Sequence, residues 1–159
     1  MKTEMINNEW LNASVAHITY YWEKKRYRKA ISECETAIKL AHEGGLSRKE
    51  MELHSLMAMI LRERQDDSNA IYHFSVVVYI ARNHDLKKTV EYTDALFHLA
   101  MLSIKAGFIP PYAFYYVEEA IEVRCAMTDE DHDAKLKSYR NLHILLKRYE
   151  KREYGTVCD

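Results

Sequence analysis

The chain reads as an all-α protein made of three antiparallel helix pairs and a closing helix. Three observations predict this. Only four glycines and two prolines occur in 159 residues, too few turn formers for a many-stranded sandwich or barrel. Apolar residues recur at helical spacing along nearly the whole chain. The chain also repeats itself. "RYRKAISECETAIKLA" meets "DDSNAIYHFSVVVYIA" at an offset of forty, placing Ala30 on Ala70, Ile31 on Ile71, Ala37 on Val77, Ile38 on Val78 and Ala41 on Ala81. A third copy, "PPYAFYYVEEAIEVR", follows forty-three residues later, with Ala113, Ala120 and Ile121 under Ala70, Val77 and Val78.

The elements follow in order. The first helix of each pair falls at about residues 8–25, 49–65 and 87–107, and the three aligned blocks are the second helices. Gly44 and Gly45 suit the left-handed close of a helix. "SRKE" (Ser47 to Glu50) has the capping-box pattern, serine and glutamate each satisfying an orphan amide. Pro110 and Pro111 stand where a helix begins and a missing N–H costs nothing. "TDED" (Thr128 to Asp131) would cap the closing helix at about 131–152, whose apolar stripe is Tyr139, Leu142, Leu145, Leu146 and Tyr149. Residues 1–152 then form one domain, with repeats at about 8–46, 47–86 and 87–127 and a tail at 153–159. Small residues at Ala30, Ala37, Ala70, Ala113 and Ala120 let helix backbones approach, and twelve tyrosines supply packing wedges.

Composition narrows the class. Hydrophobic residues make up 48% and charged residues 30%, an ordinary globular balance, and the length suffices for one domain burying roughly 70% of its unfolded surface. The net charge of −1 gives no global field for nucleic acid or an acidic membrane. No run approaches 18 apolar residues and the opening "MKTEMINNEWLNASV" lacks a signal-peptide core, so a cytoplasmic protein is expected. Cys34, Cys125 and Cys158 include no CxxC pair, and Cys34 and Cys125, on second helices, are expected to be buried and inert.

Small residues seven apart in the second helices, and "FHLAMLSIKAGF" in a first helix, resemble tetratricopeptide repeats. Leu96, Leu99, Ala100 and Gly107 stand where that family has its aromatic, leucine, small residue and turn glycine; His54, Met57, Ala58 and Leu61 hold the matching places one repeat earlier. The first repeat departs most, with Ser14, His17 and Ile18 there, though Tyr21 and Tyr27 fit. The period exceeds the common one of about 34 residues. It is similar to the longer-helix variants of kinesin light chains and bacterial Rap-type regulators. The resemblance, over residues 10–127, implies a right-handed α-solenoid with the last helix as its cap.

It also implies a concave groove lined by first helices, holding a peptide or protein partner as a chaperone, adaptor or inhibitor does. By aligned position the groove residues are Asn12, Thr19 and Trp22; then Ser55, Met59 and Arg62; then His98, Met101 and Lys105; and Arg140, Asn141, Ile144 and Lys147 from the closing helix. Arg62, Lys105 and Lys147 would form a row of cations suited to an acidic peptide, with Trp22, Met59 and Met101 as apolar anchors. Glu23 and Glu63 would partly offset that row.

Two other readings stand beside it. Between residues 135 and 152 the closing helix carries seven Lys or Arg and one acid, Glu150, which would suit an adaptor for nucleic acid or an anionic membrane. An end face bearing Trp10 and Leu11 could pair two copies. Catalysis is not expected. There is no HExxH, GxSxG, P-loop or GxGxxG, and His17, His54 and His143 fall on positions that pack between helices, so no metal or other cofactor is implied.

Overall fold

In a computed structural model, residues 2–107, 110–127 and 132–154 are described. They form seven helices: α1 (Lys2–Glu23), α2 (Tyr27–Glu43), α3 (Ser47–Glu63), α4 (Asp67–Asn83), α5 (Val90–Lys105), α6 (Tyr112–Cys125) and α7 (His132–Tyr154). The protein is all-α, its helices packing mainly on their sequence neighbours, as a helical repeat arrangement requires. Two compact units divide at Leu86 and Lys87, between the second and third repeats of the sequence.

In the first unit, α1 to α4, a turn of the same construction joins each helix to the next. The N–H of Gly45 bonds the carbonyl of His42, and that of Leu46 bonds Ala41. Lys25 with Arg26, and Gln65 with Asp66, repeat the pair of bonds that satisfies the last carbonyls of a helix. The residue after the cap must be left-handed, and it is: Lys25 at φ 57°, Gly45 at 66° and Gln65 at 63°. Asp85 ends α4 the same way at φ 55°. Gly44, expected to share that role, is right-handed at φ −82°. These turns fall every twenty residues, so the unit of repetition is one helix with its turn.

Cross-helix contacts mirror about the turns, which makes neighbours antiparallel: His17 meets Glu33, Cys34 meets the Leu53 carbonyl, and His54 meets His73. Alternate helices then lie parallel, with Trp22 of α1 reaching Glu63 of α3. Ala30, Ala37, Ala41, Ala58 and Ala70 are fully buried, as their small size predicts, around Met51, Leu53, Met57, Ile60 and Phe74. Burying each of the larger side chains is worth about 1.5–3 kcal/mol.

The predicted capping box does not form. Leu46 occupies the cap of α3 without a side-chain bond, and Ser47 is already inside the helix with its hydroxyl 3.4 Å from His84. The helix starts directly after Leu46, which follows left-handed Gly45, so Ser47 is its first helical residue rather than its cap. Asp66 does cap α4 through the Asn69 amide.

The second unit, α5 to α7, starts where extended Thr89 caps α5 through the Tyr92 N–H at 3.3 Å. Gly107 closes α5 at φ 77°, and Pro111 occupies the cap of α6. Thr128 to Asp131, the expected cap of α7, lie outside the described residues. The core gathers Ala100, Ala113, Val117, Leu142 and Leu146, with Phe97, Met101 and Phe114 packed against it. Asp94 of α5 meets Lys135 and Tyr139 of α7, so α7 lies parallel to α5, one repeat on.

Several placements differ from expectation. Leu145 (40% exposed) and Tyr149 (38%) lie outside the core, because α7 buries a narrower stripe of Leu136, Tyr139, Leu142 and Leu146. Among the described residues, Tyr92 and Tyr139 are the buried tyrosines, and Tyr20, Tyr72, Tyr79, Tyr112, Tyr115 and Tyr149 are exposed. Leu11, expected beside Trp10 on an end face, is buried.

Candidate functional site

The sequence-predicted groove residues divide between the units. In the first, Asn12 is exposed, while Thr19, Trp22, Ser55, Met59 and Arg62 are half-buried. The Thr19 hydroxyl donates to the Val15 carbonyl. In the second, His98 is buried at 8% exposure, so it offers little to a partner. Met101 is half-buried against the α5–α7 core, its flexible thioether filling space there. Lys105, Arg140, Asn141, Ile144 and Lys147 are exposed.

Trp22 is committed within the first unit. Its indole N–H donates to Glu63, as do the Lys25 ammonium and the Tyr27 hydroxyl, the last at 2.8 Å. The Lys25 ammonium first, then the phenol and the indole, hold the Glu63 carboxyl down at about 2. Lys25 and Tyr27 move up for the same reason. Glu63 therefore ties the α1–α2 turn to the end of α3. Forty-one residues separate Trp22 from Glu63, and the only sequence signal is that Glu63 lies one period after Glu23.

A second polar cluster joins α2, α3 and α4. His54 Nδ1 and His73 Nδ1 are 2.8 Å apart, so one ring donates and the other accepts. Glu50 lies 3.0 Å from His42 and 3.9 Å from the far nitrogen of His54. The group borders a depression of about 430 Å³ that Glu35, Lys39 and Tyr72 help to line. Burial, then the proximity of His73 and His42, pushes His54 down to about 4; burial lowers His73 too. His54 packs between helices as predicted, but His17 is 69% exposed on its side chain and only bridges outward to Glu33. His143 is partly covered, 3.1 Å from Glu118.

In the second unit Tyr139 donates to Asp94, with Thr93 Oγ1 at 3.2 Å, and Lys135 bonds the other Asp94 oxygen at 2.6 Å. Burial, reinforced by Asp94, pushes the phenol up, so it stays a proton donor. Arg124 of α6 is fully buried, which its place in an amphipathic pattern did not announce.

Cys34 is buried as predicted, and burial pushes its thiol up to about 12; Cys125 is exposed, because α6 buries the stripe of Ala113, Val117, Ala120 and Arg124 and Cys125 lies one residue round the helix from it. Cys158 lies outside the described residues. Among the described residues no three His, Cys, Asp or Glu side chains are placed to hold a metal ion. Nor is any helix among them long and apolar enough to cross a membrane. No protein-family model matches the chain, and no curated protein is similar to it.

Proposed function

We propose that the chain is a non-enzymatic binding module of tetratricopeptide-like build, a right-handed α-solenoid whose first helices hold a peptide or protein partner in a concave groove. The observation that carries this reading is the twenty-residue beat of helix and left-handed turn, with alanines fully buried at the equivalent positions Ala30, Ala70 and Ala113. Repetition of this kind favours a preorganised surface, which binds with little ordering cost. In this reading Met59 and Ile144 are the apolar anchors, and Arg62, Lys105 and Lys147 orient an acidic partner, as a chaperone, adaptor or inhibitor would. Trp22 supports the groove wall through Glu63 rather than entering the ligand.

The test is capture from a lysate with wild type and an Arg62→Glu, Lys105→Glu, Lys147→Glu variant of matched helical circular dichroism and melting. A partner held by the wild type and lost by the variant supports the groove. A partner retained by both overturns the cation row.

A further inference from the structure

The stretch "YYWEKKRYRK", residues 20–29, divides by where its side chains go. Trp22, Lys25 and Tyr27 turn in to Glu63. Lys24, Arg26, Arg28 and Lys29 stay exposed, and none of them forms an ion pair with a described residue. Two cations sit over flat rings: Lys24 lies 6.0 Å from the Tyr20 centroid and Lys29 lies 5.7 Å from that of Tyr21. Beside them the α1–α2 surface is concave. A depression of about 500 Å³ is lined by Trp10, Tyr21, Arg28, Lys29 and Ser32. Trp10 is 43% exposed at that wall, and Tyr20 is 50% exposed near it. Among the described residues, the one carboxylate lining the depression is Glu33, engaged by His17 at 3.2 Å.

Cations without carboxylate partners attract any polyanion, so the rings decide among ligands. An acidic peptide uses the charges but meets Trp10, Tyr20 and Tyr21 only where its sequence happens to place an apolar or aromatic side chain. A nucleic-acid duplex hides the faces of its bases. An unpaired strand offers a phosphate and a bare π-face at every nucleotide step, matching both the cations and the rings. We propose that the α1–α2 groove binds single-stranded nucleic acid without sequence preference, bases stacking on Trp10 and Tyr21 while Arg26, Arg28 and Lys29 hold the phosphates. The net charge of −1 does not oppose this, because with Lys25 given to Glu63 four of the six residues from Lys24 to Lys29 remain exposed cations, against Glu33 in the depression. The site is separate from the proposed peptide groove, which contains none of these residues.

Fluorescence anisotropy with labelled oligothymidylate, oligouridylate and a matched duplex tests the proposal. Both single strands are expected to bind. Four cations, Lys24 included, imply an affinity loss of roughly 50-fold between about 50 and 200 mM salt. Trp10→Ala should weaken binding at least about fivefold, and Arg28→Glu with Lys29→Glu should abolish it, both folded by circular dichroism. If the reversed pair unfolds, Arg28→Gln with Lys29→Gln replaces it, with a tenfold loss expected. Preference between the thymidylate and uridylate strands distinguishes DNA from RNA as the source. Absence of binding at low salt overturns the proposal. So does equal affinity for the duplex, or a Trp10→Ala variant that binds as wild type does, since either reduces the site to unspecific polyanion attraction.

Discussion

Lowering the pH from about 7.5 to 5 perturbs the His54–His73 pair before it reaches the carboxylates. In the native state burial holds His54 at about 4, against 6.5 for a free imidazole. A depressed histidine contributes stability that is fully present above its unfolded value and is lost as the pH falls toward its folded one. Below about pH 6.5 the unfolded chain takes up a proton that the native state refuses. The loss works out at about 2 kcal/mol by pH 5 and about 3 kcal/mol below pH 4. The side chain is only 8% exposed, so solvent screening does not shrink this much. His73 moves in the same direction and adds to it, since a proton on each ring would set two N–H groups nose to nose across 2.8 Å. Facing the pair are Glu35, Lys39 and His42 from α2, Glu50 from α3 and Tyr72 from α4; Glu50 is the one that would ease a charge on His54. Glu63, held at about 2, loses its contribution only between 4.5 and 2, below the window. Urea unfolding followed by circular dichroism at about pH 7.5, 6 and 5 measures the effect. His54→Gln keeps an amide in the cavity and cannot titrate, so its stability should fall about 2 kcal/mol less over that range than that of the wild type. Parallel losses in the two proteins would refute the reasoning.

Gln65 and Asp85 are exposed left-handed residues at φ 63° and 55°, where a Cβ is strained. Gln65→Gly and Asp85→Gly should each raise stability by about 0.5–1 kcal/mol in the same urea assay, while Gly45→Ala should lower it by about 1; a loss in both glycine variants would contradict the turn geometry. In a Cys158→Ser background a thiol reagent should label Cys125 at once and spare Cys34, whose sulfur lies 3.4 Å from the Leu53 carbonyl. Equal labelling rates would show that the α2–α3 contact opens readily.

The helices were legible because each buries one stripe and because alanines mark the closest approaches: Ala30, Ala70 and Ala113 lie at equivalent positions and each is fully buried. Pattern alone carries no information on which polar groups meet across the packing. Hence Glu63 looked like a charge beside a groove rather than the acceptor for Trp22, Lys25 and Tyr27. His98 and Met101 were aligned onto a ligand surface by register, but α5 buries a broader face than the alignment allowed. Serine and glutamate at the right spacing suggested a capping box at Ser47, yet the helix begins one residue too soon for it. Non-glycine residues at Lys25, Gln65 and Asp85 concealed a turn that glycine announces only at Gly45 and Gly107.

The twenty-residue beat also bears on how the chain reaches its native state. Within each unit a helix docks on the one before it, across three residues in the first unit and six in the second, so little loop entropy is lost before packing repays it. A topology of such local contacts places folding in the microsecond-to-millisecond range. Within a unit, any adjacent pair of helices can serve as the nucleus, and a lesion in one turn delays only the helices that lean on it.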